Sequence, residues 1–217
     1  MIRLDRVFKF YSASGHTKIV LDHVSTAFQT GRSYGLMGVN GAGKSTLLRL
    51  ISGAELPNSG RIVRSVRVSW PLGFAGGFHP QMTGRENVKF VARAYGERIT
   101  KVLDFVEDFA ELGDYIDAPY KTYSSGMMAR LAFGLSMAIE FDCYLIDEIT
   151  AVGDARFQAR CKLAFDERRK HSDLIIVTHS MQTVKDYCDH GAVLVDGQLI
   201  MFESVDRAIE TYNRLNR

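Results

Sequence analysis

The chain has 217 residues, 46% hydrophobic and 24% charged, which suits a soluble globular unit with one core, or one core plus a subdomain. A formal net charge of +2 is too small to argue for a nucleic-acid surface. No apolar run approaches the roughly 20 residues that span a bilayer, and Met1-Ile2-Arg3-Leu4-Asp5 lacks the apolar core of a secretory signal, so the expectation is a cytosolic chain.

Residues 2–8 and 20–28 alternate apolar and polar side chains rich in β-branched and aromatic types, as half-buried antiparallel strands do. Between them, Ser12-Ala13-Ser14-Gly15-His16 reads as a turn. Tyr11 stands at its edge, where a ring could stack on an adenine or simply pack. Ser33-Tyr34-Gly35-Leu36-Met37 reads as a strand feeding Gly38-Val39-Asn40-Gly41-Ala42-Gly43-Lys44-Ser45, which fits G-x-x-x-x-G-K-[ST]. Three glycines in six positions let a loop turn its N–H groups onto a phosphate, and the apolar run from Thr46 to Ile51 starts a helix whose positive end faces the same anion. Lys44 then reaches the β- and γ-phosphates and Ser45 ligates magnesium.

Asn58-Ser59-Gly60 reads as a turn, after which residues 61–70 alternate again through Ile62, Val63, Val66 and Val68. A glycine-rich stretch over 71–83 interrupts the pattern. Over 85–112 the apolar residues fall mainly three or four apart, which predicts a mostly helical insertion. A second helical run, 127–139, follows Tyr123-Ser124-Ser125-Gly126, small residues placed where a helix start exposes free N–H groups. Cys143-Tyr144-Leu145-Ile146 is a buried parallel strand ending in Asp147-Glu148, and Leu174-Ile175-Ile176-Val177 another ending in Thr178-His179. Residues 192–202 read as a hairpin turning at Asp196-Gly197, and 205–215 as an amphipathic helix. Cys143, Cys161 and Cys188 are far apart in apolar or helical patterns and read as reduced thiols.

Phosphoryl transfer to water needs neutralised phosphates and an oriented nucleophile; Lys44, Mg²⁺ and His179 suit the first need and Glu148 the second. The order of these motifs resembles the nucleotide-binding subunit of ATP-binding-cassette (ABC) transporters over nearly the whole chain. The resemblance implies an α/β fold of P-loop ATPase type, with a mostly parallel core sheet flanked by helices, an N-terminal antiparallel β-subdomain and a helical insertion. Residues 1–72 and 141–217 would form the core, and 73–140 the helical subdomain, of a single ATPase domain. It further implies that Tyr11 stacks on adenine and that Gly38, Asn40, Gly41, Gly43, Lys44, Ser45 and Thr46 hold the phosphates. Ser124 and Gly126 belong to the signature, Asp147 associates with magnesium beside Ser45, Glu148 is the catalytic base, Asp154 the D-loop acid and His179 the switch histidine.

Two departures are visible. Tyr123-Ser124-Ser125-Gly126-Met127 replaces the usual Leu-Ser-Gly-Gly-Gln, and Phe74 or its neighbours stand where a Q-loop glutamine is expected. Both resemble the ATPase subunits of bacterial polysaccharide exporters, capsule exporters best. O-antigen subunits, which often carry a further carbohydrate-binding domain, and teichoic-acid subunits are alternatives. The implied cofactors are ATP and Mg²⁺. The implied partners are a second copy and a separate membrane permease at the cytoplasmic face of the inner membrane, with the polysaccharide handled mainly by that permease and its export partners. Residues 70–87, with Trp70, Phe74 and Phe78, are the expected permease contact. Competing readings are a soluble ABC ATPase acting on DNA or ribosomes, which would add coiled coils or a second cassette, and a small-molecule P-loop kinase, which needs neither a Ser-Ser-Gly helix start nor a strand-end histidine.

Overall fold

The structure, a computed structural model, describes residues 1–13, 15–72, 77–147, 154–178 and 180–215. In chain order these form β1 (Ile2–Ala13), β2 (His16–Phe28), β3 (Tyr34–Met37), α1 (Lys44–Ser52), β4 (Ser59–Arg64) and β5 (Val68–Pro71). The helices α2 (Gly84–Ala94), α3 (Ile99–Ala110) and α4 (Ser125–Ala138) follow, then β6 (Cys143–Asp147), α5 (Ala155–Arg168) and β7 (Asp173–Val177). The chain closes with α6 (Met181–Tyr187), β8 (His190–Val195), β9 (Gln198–Phe202) and α7 (Val205–Leu215). Two compact units result: Met1–Pro71 with Phe141–Ile149 and Ser172–Arg217, and Leu72–Glu140 with Thr150–His171.

In the first unit, β1 pairs antiparallel with β2 and with β4, and a second sheet runs in the order β5-β6-β7-β3-β8-β9. The second sheet is parallel from β5 to β8, with β9 antiparallel at its edge. Strands buried on both faces need continuous apolar runs, and β3, β6 and β7 supply them. Leu47, Leu48, Leu50 and Ile51 of α1 are fully buried, each worth about 1.5–3 kcal/mol of apolar transfer, and join Ile2, Leu4, Val7, Val20 and Leu21 of the antiparallel sheet in one core.

The alternation over 61–70 is divided: β4 belongs to the antiparallel sheet and β5 to the parallel one. Ser59-Gly60 is strand rather than turn. Gly60 takes φ +80 where β4 crosses a register shift in β1, and a Cβ there would lie 2.1 Å from the Arg6 carbonyl oxygen. Asn58 closes this edge, its amide donating to the Phe8 carbonyl at 2.9 Å and its side-chain oxygen accepting from the Phe10 amide at 2.9 Å.

In the second unit, helical spacing over 85–112 resolves into α2 and α3. The break follows Tyr95, with Gly96 at φ +71 and the Glu97 amide donating to Ala92 O at 2.8 Å. Thr83 and Glu86 form a capping box at the start of α2. The unit's core stacks Phe105, Phe109 and Phe133, with Phe157 of α5 edge-on to Phe109. Among the described residues no helix is long and apolar enough to cross a membrane.

Candidate nucleotide site

Three neighbouring strands, β6, β7 and β3, end side by side in the parallel sheet, with Asp147 paired to Val177 and Val177 to Leu36. Their carboxyl ends deliver Asp147, Thr178 and the glycine loop to one crevice, where open α/β sheets bind ligands. The loop needs its glycines for space: a Cβ on Gly38 would lie 2.6 Å from Leu194 O, and one on Gly43, at φ +109, would lie 2.1 Å from Val20 Cγ1. Gly43 also caps α1, so the first-turn N–H groups of Lys44, Ser45 and Thr46 face the crevice.

A cavity of about 350 Å³ occupies this place. Its floor is Asn40, Gly41, Gly43, Lys44, Ser45 and Thr46, with Asp147, Val177 and Thr178 on one side and Tyr11, Lys18 and Val20 of the first hairpin on the other. The Lys44 ammonium donates to Gly38 O at 2.7 Å and Val39 O at 3.1 Å, so it lies over the loop's own carbonyls. Tyr11 is 40% exposed at the cavity wall. Glu148 and His179, the residues directly after Asp147 and Thr178, lie outside the described residues, as does Phe74.

Residues 21–151 match the ABC transporter family. The chain belongs to that family. It is similar to the ATP-binding protein BexA of Haemophilus influenzae, 48% identical with all of both chains covered. It is 49% identical to the capsule polysaccharide export ATP-binding protein CtrD of Neisseria meningitidis serogroup B, over 99% of this chain and 100% of the relative. Among solved structures, the ATP-binding cassette MJ0796, a dimer in a post-hydrolysis state bound to ADP and Pi, matches with TM-score 0.73. That match covers 94% of this chain and 99% of the other at 20% identity, a likeness of fold. The ABC fold expected from the motifs is thus borne out.

Within the helical unit of the cassette, Ser124 caps α4, its Oγ accepting from the Met127 amide at 3.2 Å. Gly126 sits in the first turn of α4, where a Cβ would meet nothing closer than Ser124 Oγ at 3.9 Å. Asp154 caps α5, accepting from the Phe157 amide at 2.9 Å and from Arg130 of α4 at 2.9 Å. The Phe157 amide hydrogen bond, followed by the charge of Arg130, holds its carboxyl below the usual range. Trp70 packs edge-on against Phe141 and Phe78 against Tyr120, and both aromatics of the expected permease contact are half-buried.

Four residues of the site escaped the motif reading. Lys18 pairs with Tyr11 across the first hairpin, and its ammonium lies 3.2 Å from where a side chain on Gly41 would begin. Lys9, Arg49 and Glu55 surround the Tyr11 hydroxyl, and those hydrogen bonds hold the Glu55 carboxyl down to about 2 against the opposing effect of burial, which alone would raise it. No motif joins Lys9 to Glu55, so only β1 meeting the end of α1 reveals the cluster. Each cysteine is a free thiol pushed up to about 12 by burial, and none lines the cavity.

Proposed function

We propose that this ABC ATPase energises export of capsular polysaccharide, working in pairs at the cytoplasmic face of the inner membrane against a separate permease. The observation that carries the ATP reading is the cavity in which Lys44, Ser45, Thr46 and Asp147 converge under Tyr11. A triphosphate lying along the glycine loop would receive the amides of the first turn of α1 and the Lys44 ammonium, with Tyr11 at its base. Ser45 and Asp147 offer hard oxygen donors on the same cavity, which fits Mg²⁺, an ion that takes one or two protein ligands and leaves the rest of its shell to phosphate and water. That ion would neutralise charge on the β- and γ-oxygens. In this reading Glu148 would orient and polarise the attacking water, and His179 would help neutralise the γ-phosphate.

Gly126 supports the pairing. Among the described residues nothing lies closer to a Cβ at this position than Ser124 Oγ at 3.9 Å, so the close packing of its own chain does not call for a glycine here. The space is accounted for when the signature of one copy closes on the γ-phosphate held by Lys44 of the other. The capsule reading is supported by full-length similarity to CtrD, and O-antigen export is the more distant alternative. For the permease, residues 70–87 are the proposed contact, and within them Gly77, His79, Pro80 and Gln81 are exposed.

The test joins turnover to export. Glu148→Gln should cut kcat for Mg-ATP by about 10²-fold or more while leaving ATP binding intact, because an amide keeps the carboxylate's shape but neither accepts a proton nor polarises water as strongly. The same substitution should abolish surface capsule in a strain relying on this protein. Turnover within a few-fold of the parent would remove Glu148 from the mechanism, and normal capsule in cells lacking the protein would remove the substrate assignment.

A further inference from the structure

Lys9 is 8% exposed although it lies two residues from the cavity-lining Tyr11 on β1, and a buried ammonium is costly unless closely paired. Its partner is Glu55, which follows α1: Oε1 accepts from Lys9 Nζ at 2.7 Å and from the Tyr11 hydroxyl at 2.6 Å. The other oxygen, Oε2, accepts from Arg49 Nε at 3.0 Å. Arg49 in turn donates to Thr46 Oγ1 at 3.1 Å and to the Tyr11 hydroxyl at 3.3 Å. Lys9 also donates to Leu56 O at 3.0 Å and sits 5.1 Å from the centroid of the Tyr11 ring, within cation–π reach. One carboxylate thereby ties a strand, a helix and the loop after it to a single aromatic ring.

We propose that Glu55 is a positioning residue for recognition of the nucleobase: with Lys9 and Arg49 it locks the Tyr11 ring as a rigid stacking platform and holds Thr46 beside it. The proposal deepens the ATP reading of this cavity and rests on it. A tyrosine this exposed at a strand edge would otherwise have to be ordered by the ligand itself, at a cost in affinity. The hydroxyl tether and the cation at the ring order it beforehand. Stacking concerns the base, and the phosphates meet the backbone amides of the first turn of α1, which the network does not touch, so it should matter far more for a nucleoside triphosphate than for its phosphate chain.

Calorimetric titration of the intact protein with Mg-ATP and with inorganic tripolyphosphate separates these. Glu55→Gln is expected to weaken ATP roughly 3- to 10-fold and leave tripolyphosphate within about twofold. Tyr11→Phe, which removes only the tethering hydroxyl, should do the same, and Tyr11→Ala should exceed both. If Glu55→Gln weakens both ligands equally, Glu55 merely supports the fold; if it weakens neither, or Tyr11→Ala leaves the ratio unchanged, the platform is absent. Each of those results overturns the proposal. Should Glu55→Gln fail to fold, as judged by its thermal melt, Tyr11→Phe decides by itself. A parent protein that binds tripolyphosphate but not ATP refutes the nucleotide reading instead, and the platform with it.

Discussion

Tyr123 stands where the family's usual signature begins with leucine, and its hydroxyl has a partner that leucine could not use. It donates to Tyr115 O at 2.7 Å, and a Cβ on Gly84 would lie 2.2 Å from the Tyr123 hydroxyl oxygen. The tyrosine therefore fits because residue 84 lacks a side chain. Gly84→Ala should destabilise the protein by about 1–3 kcal/mol through overpacking. Adding Tyr123→Phe should recover part of that loss, since the nearest clash is with the hydroxyl, while the Ile116 carbonyl at 3.1 Å keeps the recovery incomplete. Urea melts of both single variants and the double variant measure this, and strictly additive losses would refute the link.

At the scale of elements, the segment leading into α2 is shaped by Asn87, which is 1% exposed. Its amide donates to His79 O at 3.1 Å, Met82 O at 3.3 Å and Thr83 O at 3.0 Å, and its oxygen accepts from the His79 amide at 2.7 Å. Tyr120 and Lys121 add backbone bonds to Met82 O and Pro80 O. Asn87→Ala takes the acceptor from the His79 amide and one donor from each of the three carbonyls, which keep backbone partners, so a lower melting temperature is expected, with a loss of about 1–3 kcal/mol. If this loop docks the permease, export should fall further than ATP turnover of the isolated protein; equal losses would place docking elsewhere. The strands around the glycine loop were legible because burial on both faces writes continuous apolar runs into β3, β6 and β7. Helix α5 was not, since only Phe157 and Phe165 are buried along it, nor was α6, which buries Val184 alone. Alternation found β4 and β5 but is silent on which sheet a strand joins. The phosphate side of the cavity was legible from the glycine loop and from Asp147 at the end of β6, whereas the Lys9, Arg49 and Glu55 support of Tyr11 unites residues whose contact exists only after folding.

For the whole molecule, the proposed pairing makes each ATP site a joint product of two chains. On that proposal Lys44→Ala would disable the phosphate side and Ser124→Arg the signature side, so each homodimer would be inactive at both sites. A mixed dimer keeps one site with an intact Lys44 facing an intact Ser124. Mixing the two purified variants should restore ATP hydrolysis that neither has alone, and a mixture no more active than its components would show that each chain works by itself.

The central strand of the parallel sheet has a consequence for how the protein is made. Strand β3 leads into the glycine loop, yet its two neighbours, β7 and β8, come from the far end of the chain: Leu36 lies beside Val177 and Met37 beside Val193. The Gly38 backbone even abuts Leu194. During synthesis the first hairpin can close as soon as it emerges, whereas the loop leaves the ribosome with neither flank present. Pairings this distant are slow to form, because the chain between them must be ordered before they repay it. A nascent chain halted before residue 173 would carry every residue of the G-x-x-x-x-G-K-S sequence without the two strands that flank it, so affinity for nucleotide has to wait for β7 and β8.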